Sequence, residues 1–117
     1  MPIVKHLTDV AQGKANLGSP RSSKWPAVRE AHLKLHPVCE VCGGAESLEV
    51  HHKEPFHLNP TLELNPDNLI TLCESKKMGV NCHLFVGHLG NFKSFNATVA
   101  DDAAMIRTKL QNRPQPR

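Results

Sequence analysis

A small α+β fold is predicted by three features of the chain. Two short apolar runs, Leu48–His52 and Asn68–Cys73, read as strands. Stretches with helical spacing flank them on both sides. Four cysteines, Cys39, Cys42, Cys73 and Cys82, frame the strands and a histidine pair at His51 and His52. A chain of 117 residues with four Phe and one Trp builds only a modest core and needs a staple, which the cysteines can supply.

The elements follow in order. Residues 1–21 mix Gly13, Gly18, Ser19 and Pro20 with polar residues and read as a flexible arm. Ser22 or Ser23 can cap a helix running to about His36, with Trp25, Val28, Ala31 or His32, and Leu35 on one face. Pro26 falls in its first turn, where the missing amide costs nothing, and Pro37 disfavours helical geometry at His36 and ends it. Cys39-x-x-Cys42-Gly43-Gly44 reads as a metal-binding knuckle. Residues 53–67 hold Pro55, Pro60 and Pro66 and are expected to lack regular structure. The two strands pair antiparallel if they form a ribbon, and a polar insertion covers Glu74 to Asn81. A short helix is expected from Cys82 or His83, then a linker over Asn91–Ala97. Thr98 and Asp101 form a plausible capping pair for a helix whose stripe is Val99, Ala103, Ile106 and Leu110. Residues 112–117 are expected to be disordered. The division is an arm at 1–21, a central domain at 22–97, and a C-terminal helix with tail at 98–117.

The N-terminus shows no apolar stretch of a signal peptide, and no run has the length of a membrane span, so the expected place is the cytoplasm. Thiols stay reduced there, which favours zinc over disulfides. Cys39 and Cys42 have a strong zinc spacing; Cys73 and Cys82 lie further apart than usual. Four thiolates would make a closed, structural site, with three cysteines and one histidine as the alternative.

Strand side chains alternate, so His51 and His52 face opposite ways and cannot easily share one ion. One suits ligation and the other general-base chemistry, both within reach of imidazole. Asn68 and His83, from the next strand and helix, can converge on the same pocket. His88 lies five residues after His83, about 140° away on a regular α-helix, although Gly87 could permit an irregular turn. His57 suits a substrate contact or a structural role, and His6, His32 and His36 read as surface or packing residues.

Charge is uneven. Residues 1–38 carry six Lys/Arg against two Asp/Glu, residues 39–75 one against seven, and residues 76–117 seven against two, for a net +3. Basic arms around an acidic centre suit a protein that contacts phosphates and attracts cations at its middle. Lys24, Arg29, Lys34, Lys76, Lys77 and Lys93 are the candidate phosphate contacts.

Val50-His51-His52, Asn68-Leu69-Ile70-Thr71-Leu72-Cys73 and Cys82-His83 together resemble an HNH endonuclease, and in particular the small zinc-ribbon HNH proteins of phages and prophages. Pro55-Phe56-His57-Leu58 and Gly87-His88-Leu89-Gly90-Asn91 resemble local signatures of that subfamily, and the likeness spans about residues 22–96. The resemblance implies a ββα-metal fold beside a structural zinc ribbon. It implies that His51 and His83 ligate a catalytic divalent ion (Mg²⁺, Mn²⁺, Ni²⁺ or Zn²⁺). Members with a further helical histidine usually place it four residues on; His88 lies five on, and becomes a third ligand if Gly87 relaxes the turn. The resemblance also implies that His52 is the general base and that Asn68 orients the loop and the base or, as in some members, reaches the metal. DNA is then the substrate, cut to 5′-phosphate and 3′-hydroxyl ends by nicking or double-strand cleavage. Phage terminase or packaging proteins would be further partners, and the chain would act as a monomer or weak dimer. The alternative is a non-catalytic zinc-ribbon module that binds DNA or a packaging complex.

Overall fold

The computed structural model describes residues 21–75 and 81–114. The arm up to residue 20, Lys76, Lys77 and the end of the tail lie outside the described residues. The centre is a two-stranded antiparallel ribbon of β1, Leu48–His52, and β2, Leu69–Cys73. Leu48 pairs with Cys73, His51 with Ile70, and His52 with Leu69. Every residue of β2 is buried, so both faces of the ribbon are covered. Its start at Leu69 places Asn68 just before the strand, at the end of a 3-10 turn.

Helix α1, Trp25–Leu35, packs against the ribbon. Its N-cap is Lys24 rather than a serine. Ser22 acts one step earlier: its hydroxyl accepts from the Lys24 amide at 3.1 Å, and its carbonyl accepts from Trp25 N–H at 3.2 Å. His32 is buried, but Leu35, expected on the packed face, is 77% exposed. The chain leaves helical geometry at His36, before Pro37; the last turn is held to the ribbon through buried His32 and through Thr71, whose hydroxyl donates to the His36 carbonyl at 2.9 Å, while Leu35 points away.

The proline-rich connection is more regular than its composition suggests. Pro60–Leu62 and Pro66–Asn68 each form a 3-10 turn with proline at its start, where no amide is needed. The Asn65 side chain accepts from the Asp67 amide at 2.9 Å and starts the second turn.

After Cys82 the chain forms a π-helical turn, His83–Gly87. The segment before the last helix is tied down through buried Asn96. Its amide and Nδ2 donate to the carbonyls of Gly87 and Val86, each at 3.0 Å. Its Oδ1 accepts from Thr98 N–H at 2.9 Å. Helix α2, Val99–Gln111, has Thr98 as N-cap without the expected contact to Asp101. The Thr98 hydroxyl instead reaches Asp102 Oδ2 at 3.0 Å, which also accepts from Asn96 Nδ2 at 2.8 Å.

Val99 and Ala103 of α2 join Cys39, Val41, Ile70, Leu72, Cys73 and Cys82 in the core, with Ile106 against it. Leu110, at the end of the stripe, is exposed. Arg107 of α2 donates to the Cys39 carbonyl at 3.0 Å, so the helix covers the knuckle. No helix among the described residues is long and apolar enough to cross a membrane.

Candidate functional site

The four cysteine sulfurs lie within 4.8 Å of one another, with Cys39, Cys73 and Cys82 fully buried. They come from three features: Cys39 and Cys42 from the knuckle, Cys73 from the end of β2, and Cys82 from the N-cap of the π turn. The knuckle closes through Gly43 N–H to the Cys39 carbonyl at 2.9 Å and Cys39 N–H to the Gly44 carbonyl at 2.7 Å. Gly43 takes a left-handed φ of 77°, which glycine adopts without strain. Among the described residues no histidine belongs to this cluster, whose four donors are thiols. The thiol chemistry fits zinc. A hydrogen bond from Cys82 holds Cys39 down at about 4, while contact with Cys39 and burial push Cys82 up. Four crowded thiols cannot all ionise without a cation, and a tetrahedral zinc ion would supply the charge.

A second cluster joins His51, His83 and His88, whose ring nitrogens also lie within 4.8 Å of one another. His88 is there because of the π turn. Its amide donates to the His83 carbonyl at 3.1 Å, closing one turn over five residues instead of four. The spacing that separates the two side chains on an α-helix therefore puts them on one face. Gly87 allows the approach of β1: a Cβ there would lie 3.2 Å from His51 Cε1 and 3.1 Å from Leu72 Cδ1.

The outer contacts fix two rings. His83 Nδ1 donates to Glu74 Oε1 at 2.9 Å, and His88 Nδ1 donates to the Ser94 carbonyl at 2.8 Å. Each leaves Nε2 as the basic nitrogen, the arrangement by which proteins orient metal-binding histidines. His83 Nε2 and His51 Nδ1 are 3.1 Å apart. Two lone pairs at that distance repel unless a proton or cation lies between them. Ligands about 2.0–2.1 Å from a tetrahedral ion sit roughly 3.3 Å apart. The donor set thus fits a divalent ion with positions left for water and substrate. Burial holds His51 well below the usual histidine value and lowers His88, so both favour the neutral, ligating form.

His52 faces the other side of the ribbon, as alternation requires. Its ring stacks 4.5 Å from Trp25, and its Nε2 lies 2.9 Å from the Glu63 carbonyl. A carbonyl only accepts, so Nε2 carries the proton and Nδ1 is the basic nitrogen. Burial lowers the affinity of His52 for a second proton. Asn68 is occupied by the loop: Oδ1 accepts from Glu54 N–H at 2.8 Å, and Nδ2 donates to the Glu54 and Leu62 carbonyls at 3.1 and 3.2 Å. It holds the segment that carries Glu63 against the strand end.

A cavity of about 470 Å³ brings His52 and the three clustered histidines together, with Arg21, Trp25, Arg29, Glu74 and Phe92 in its wall. The Phe92 ring lies 5.0 Å from His88. Of the expected phosphate contacts, Arg29 lines this cavity and pairs with Glu49 at 3.3 Å. Lys24, Lys34 and Lys93 are exposed and do not line it; Lys34 pairs with Glu30 at 3.5 Å. His57 is outside the histidine cluster. Sequence reasoning passed over Glu63, Glu74 and Arg21. Glu74 directly follows the strand that ends at Cys73, a position that could have marked it, whereas Glu63 and Arg21 carry no local pattern.

A family model described as HNH endonuclease matches residues 39–84. No curated protein and no solved structure matches the chain.

Proposed function

With an HNH endonuclease domain at residues 39–84 as the starting point, we propose that this protein is a metal-dependent DNA endonuclease that hydrolyses backbone phosphodiesters. The observation that carries the reading is the convergence of His51, His83 and His88 on the cavity that also holds His52. His51, His83 and His88 hold the divalent ion. When bound, the ion polarises the phosphate and neutralises charge on the departing 3′ oxygen. Glu74 and the Ser94 carbonyl keep His83 and His88 in the ligating tautomer. His52, with its Nε2 proton held by Glu63, takes a proton at Nδ1 from the attacking water. In-line attack then leaves a 5′-phosphate and a 3′-hydroxyl. Asn68 keeps the base in place through the loop. The four-thiolate zinc carries no chemistry and fixes Cys73 and Cys82 beside the site. Arg29 and the exposed Lys24, Lys34 and Lys93, with Lys76 and Lys77, supply phosphate contacts along the DNA.

One such site cuts one strand per visit, so nicking is the primary activity and a double-strand break takes two visits or a dimer. The likeness of Pro55–Leu58 and Gly87–Asn91 to signatures of phage and prophage proteins supports a setting in phage DNA packaging beside a terminase. The test is nicking of supercoiled plasmid by zinc-loaded protein, with EDTA or with Mg²⁺, Mn²⁺ or Ni²⁺ added. Metal-dependent nicking lost in His52→Ala is expected. Tight DNA binding without nicking under every metal would favour the non-catalytic module.

A further inference from the structure

A second cavity, of about 390 Å³, shares no lining residue with the one that holds the histidine cluster. His32, His36, Glu40, Lys53 and Asp67 stand in its wall, and the small alanine side chains of α2 leave it room. His32 lies within α1 and His36 is its C-cap. Histidines four residues apart at a helix are neighbours on one face, the spacing that lets two imidazoles meet one ion.

His32 is 8% exposed, and its Nε2 is buried with no hydrogen-bond partner among the described residues. A buried polar atom left alone is costly, so an orphaned ring nitrogen beside a cavity points to a ligand. Burial, with His36 and Lys53 nearby, lowers the proton affinity of His32 and keeps the ring neutral, the form that ligates. The His36 ring centroid lies 4.6 Å from that of His32. The rings of His51, His83 and His88 stand at a similar 4.8–5.0 Å from one another. His36 Nδ1 is 3.9 Å from Glu40 Oε1, which favours the proton on Nδ1 and leaves Nε2 basic. The backbone is held on both sides by buried Thr71: its hydroxyl donates to the His36 carbonyl and its carbonyl accepts from the Glu40 amide, each at 2.9 Å. Lys53 opposes a cation here, but Glu40 and Asp67 outweigh it.

We propose that His32 and His36 form a further metal site, separate from the four thiols and from the three clustered histidines, that takes a borderline transition-metal ion such as Ni²⁺ or Zn²⁺. Water completes the shell, and Glu40 orients His36. Imidazole pairs suit such ions, whereas Mg²⁺ and Mn²⁺ prefer oxygen donors. The ring of His36 is half-exposed and can turn its Nε2 toward the ion that His32 holds. The ion would join a residue inside α1 to its C-cap and so close the last turn, where Leu35 is exposed. Nothing in this depends on the endonuclease reading.

The experiment uses the full chain, free of any added histidine tag and with zinc at the four thiols. Ni²⁺ is titrated by calorimetry into the parent, His36→Ala, Glu40→Gln, His83→Ala and the His36→Ala/His83→Ala pair. The imidazole resonances of His83→Ala are followed by NMR as Ni²⁺ is added. This reads His32 without replacing a buried ring. The parent should show two Ni²⁺ events. His36→Ala should weaken one of them roughly tenfold or more and leave the other, and Glu40→Gln should weaken the same event by less. In His83→Ala the remaining event should shift the rings of both His32 and His36, and it should vanish in the pair. Parental Ni²⁺ binding in His36→Ala would overturn the proposal, as would His32 and His36 resonances that stay still while Ni²⁺ binds to His83→Ala. A parent that cuts no DNA but loses a Ni²⁺ event in His36→Ala would refute the nuclease reading and uphold this site.

Discussion

Adding one methyl group at Gly87 tests whether the histidine cluster is a metal site built on a π turn. The Cβ of Gly87→Ala would lie 3.1 Å from Leu72 Cδ1, 3.2 Å from His51 Cε1 and 3.3 Å from His51 Nδ1. Carbon contacts settle at about 3.5–4.0 Å, so the neighbours must retreat by roughly half an ångström. Leu72 is fully buried in the core and has nowhere to go, which leaves His51 to move. Metal sites tolerate errors of only about 0.2 Å in ligand distance. The displaced Nδ1 should cost about 1–3 kcal/mol, the usual scale of overpacking, or roughly a 10–100-fold loss of affinity for the divalent ion. The three atoms nearest the added Cβ belong to Leu72 and His51 and none to a cysteine, so zinc should stay bound. The assay is calorimetric titration of zinc-loaded protein with Mn²⁺ or Ni²⁺, beside zinc content and nicking rate. Alanine is also the better helix former, so a general loss of fold is not the expected route to inactivity. Divalent-ion affinity within twofold of the parent would refute the argument, because it would show that the His51 position at Gly87 does not matter for the ion.

The other expectations are simpler. His88→Ala should weaken divalent-ion binding to the extent that His83→Ala does while zinc is retained; unchanged affinity would remove His88 from the ligand set. His52→Ala should cost about 10²–10⁴ in nicking rate with metal affinity unaltered, and a rate within tenfold of the parent would exclude it as the base. Cys39→Ser or Cys73→Ser should release zinc and abolish the thermal transition, since so small a core lacks the stability to replace the metal; a variant keeping both would not have lost a ligand. Burial lowers His32, His51, His52 and His88 below their unfolded value of 6.5. Their contribution is complete above that pH and is lost as pH falls through the lowered folded values, because the unfolded chain then binds more protons. The melting temperature should therefore fall on acidification below about pH 6.5 even while zinc remains bound; a flat profile down to about pH 5 would contradict it.

The parts of the site that follow local rules were legible in the sequence. The ribbon is marked by apolar runs with a histidine pair at one end, and period-two alternation separates His51 from His52. The gap between Cys39 and Cys42 states a zinc knuckle by itself. What could not be read depends on hydrogen bonds across long separations. Nothing near Glu63 says that its carboxylate meets Arg21, or that its carbonyl meets His52. Asn96 looks like an ordinary polar residue in a linker, yet its buried amide group joins the π turn to α2. Leu35 fits the helical stripe of α1, but a stripe says which residues share a face, not whether a neighbour covers that face to its end. His88 is the instructive case. A five-residue spacing argues against a shared ion only if the helix is α, and a glycine in such a turn is the one sign in the chain that it is not.

The two clusters are joined by the backbone, and this shapes what each can do. Cys73 ends the strand that pairs with the one carrying His51, and Glu74, which orients His83, follows it directly. Cys82 caps the π turn, and His83 is its first residue. A zinc ion held by Cys73 and Cys82 would therefore fix Glu74 and His83, which follow those two cysteines directly. His83 and its carboxylate partner are then aligned before any divalent ion arrives. Loss of zinc should thus remove the second metal's affinity along with the fold, whereas loss of the second metal should leave zinc and fold in place. That asymmetry separates a structural ion from a catalytic one, and titrating each metal in the presence and absence of the other measures it directly.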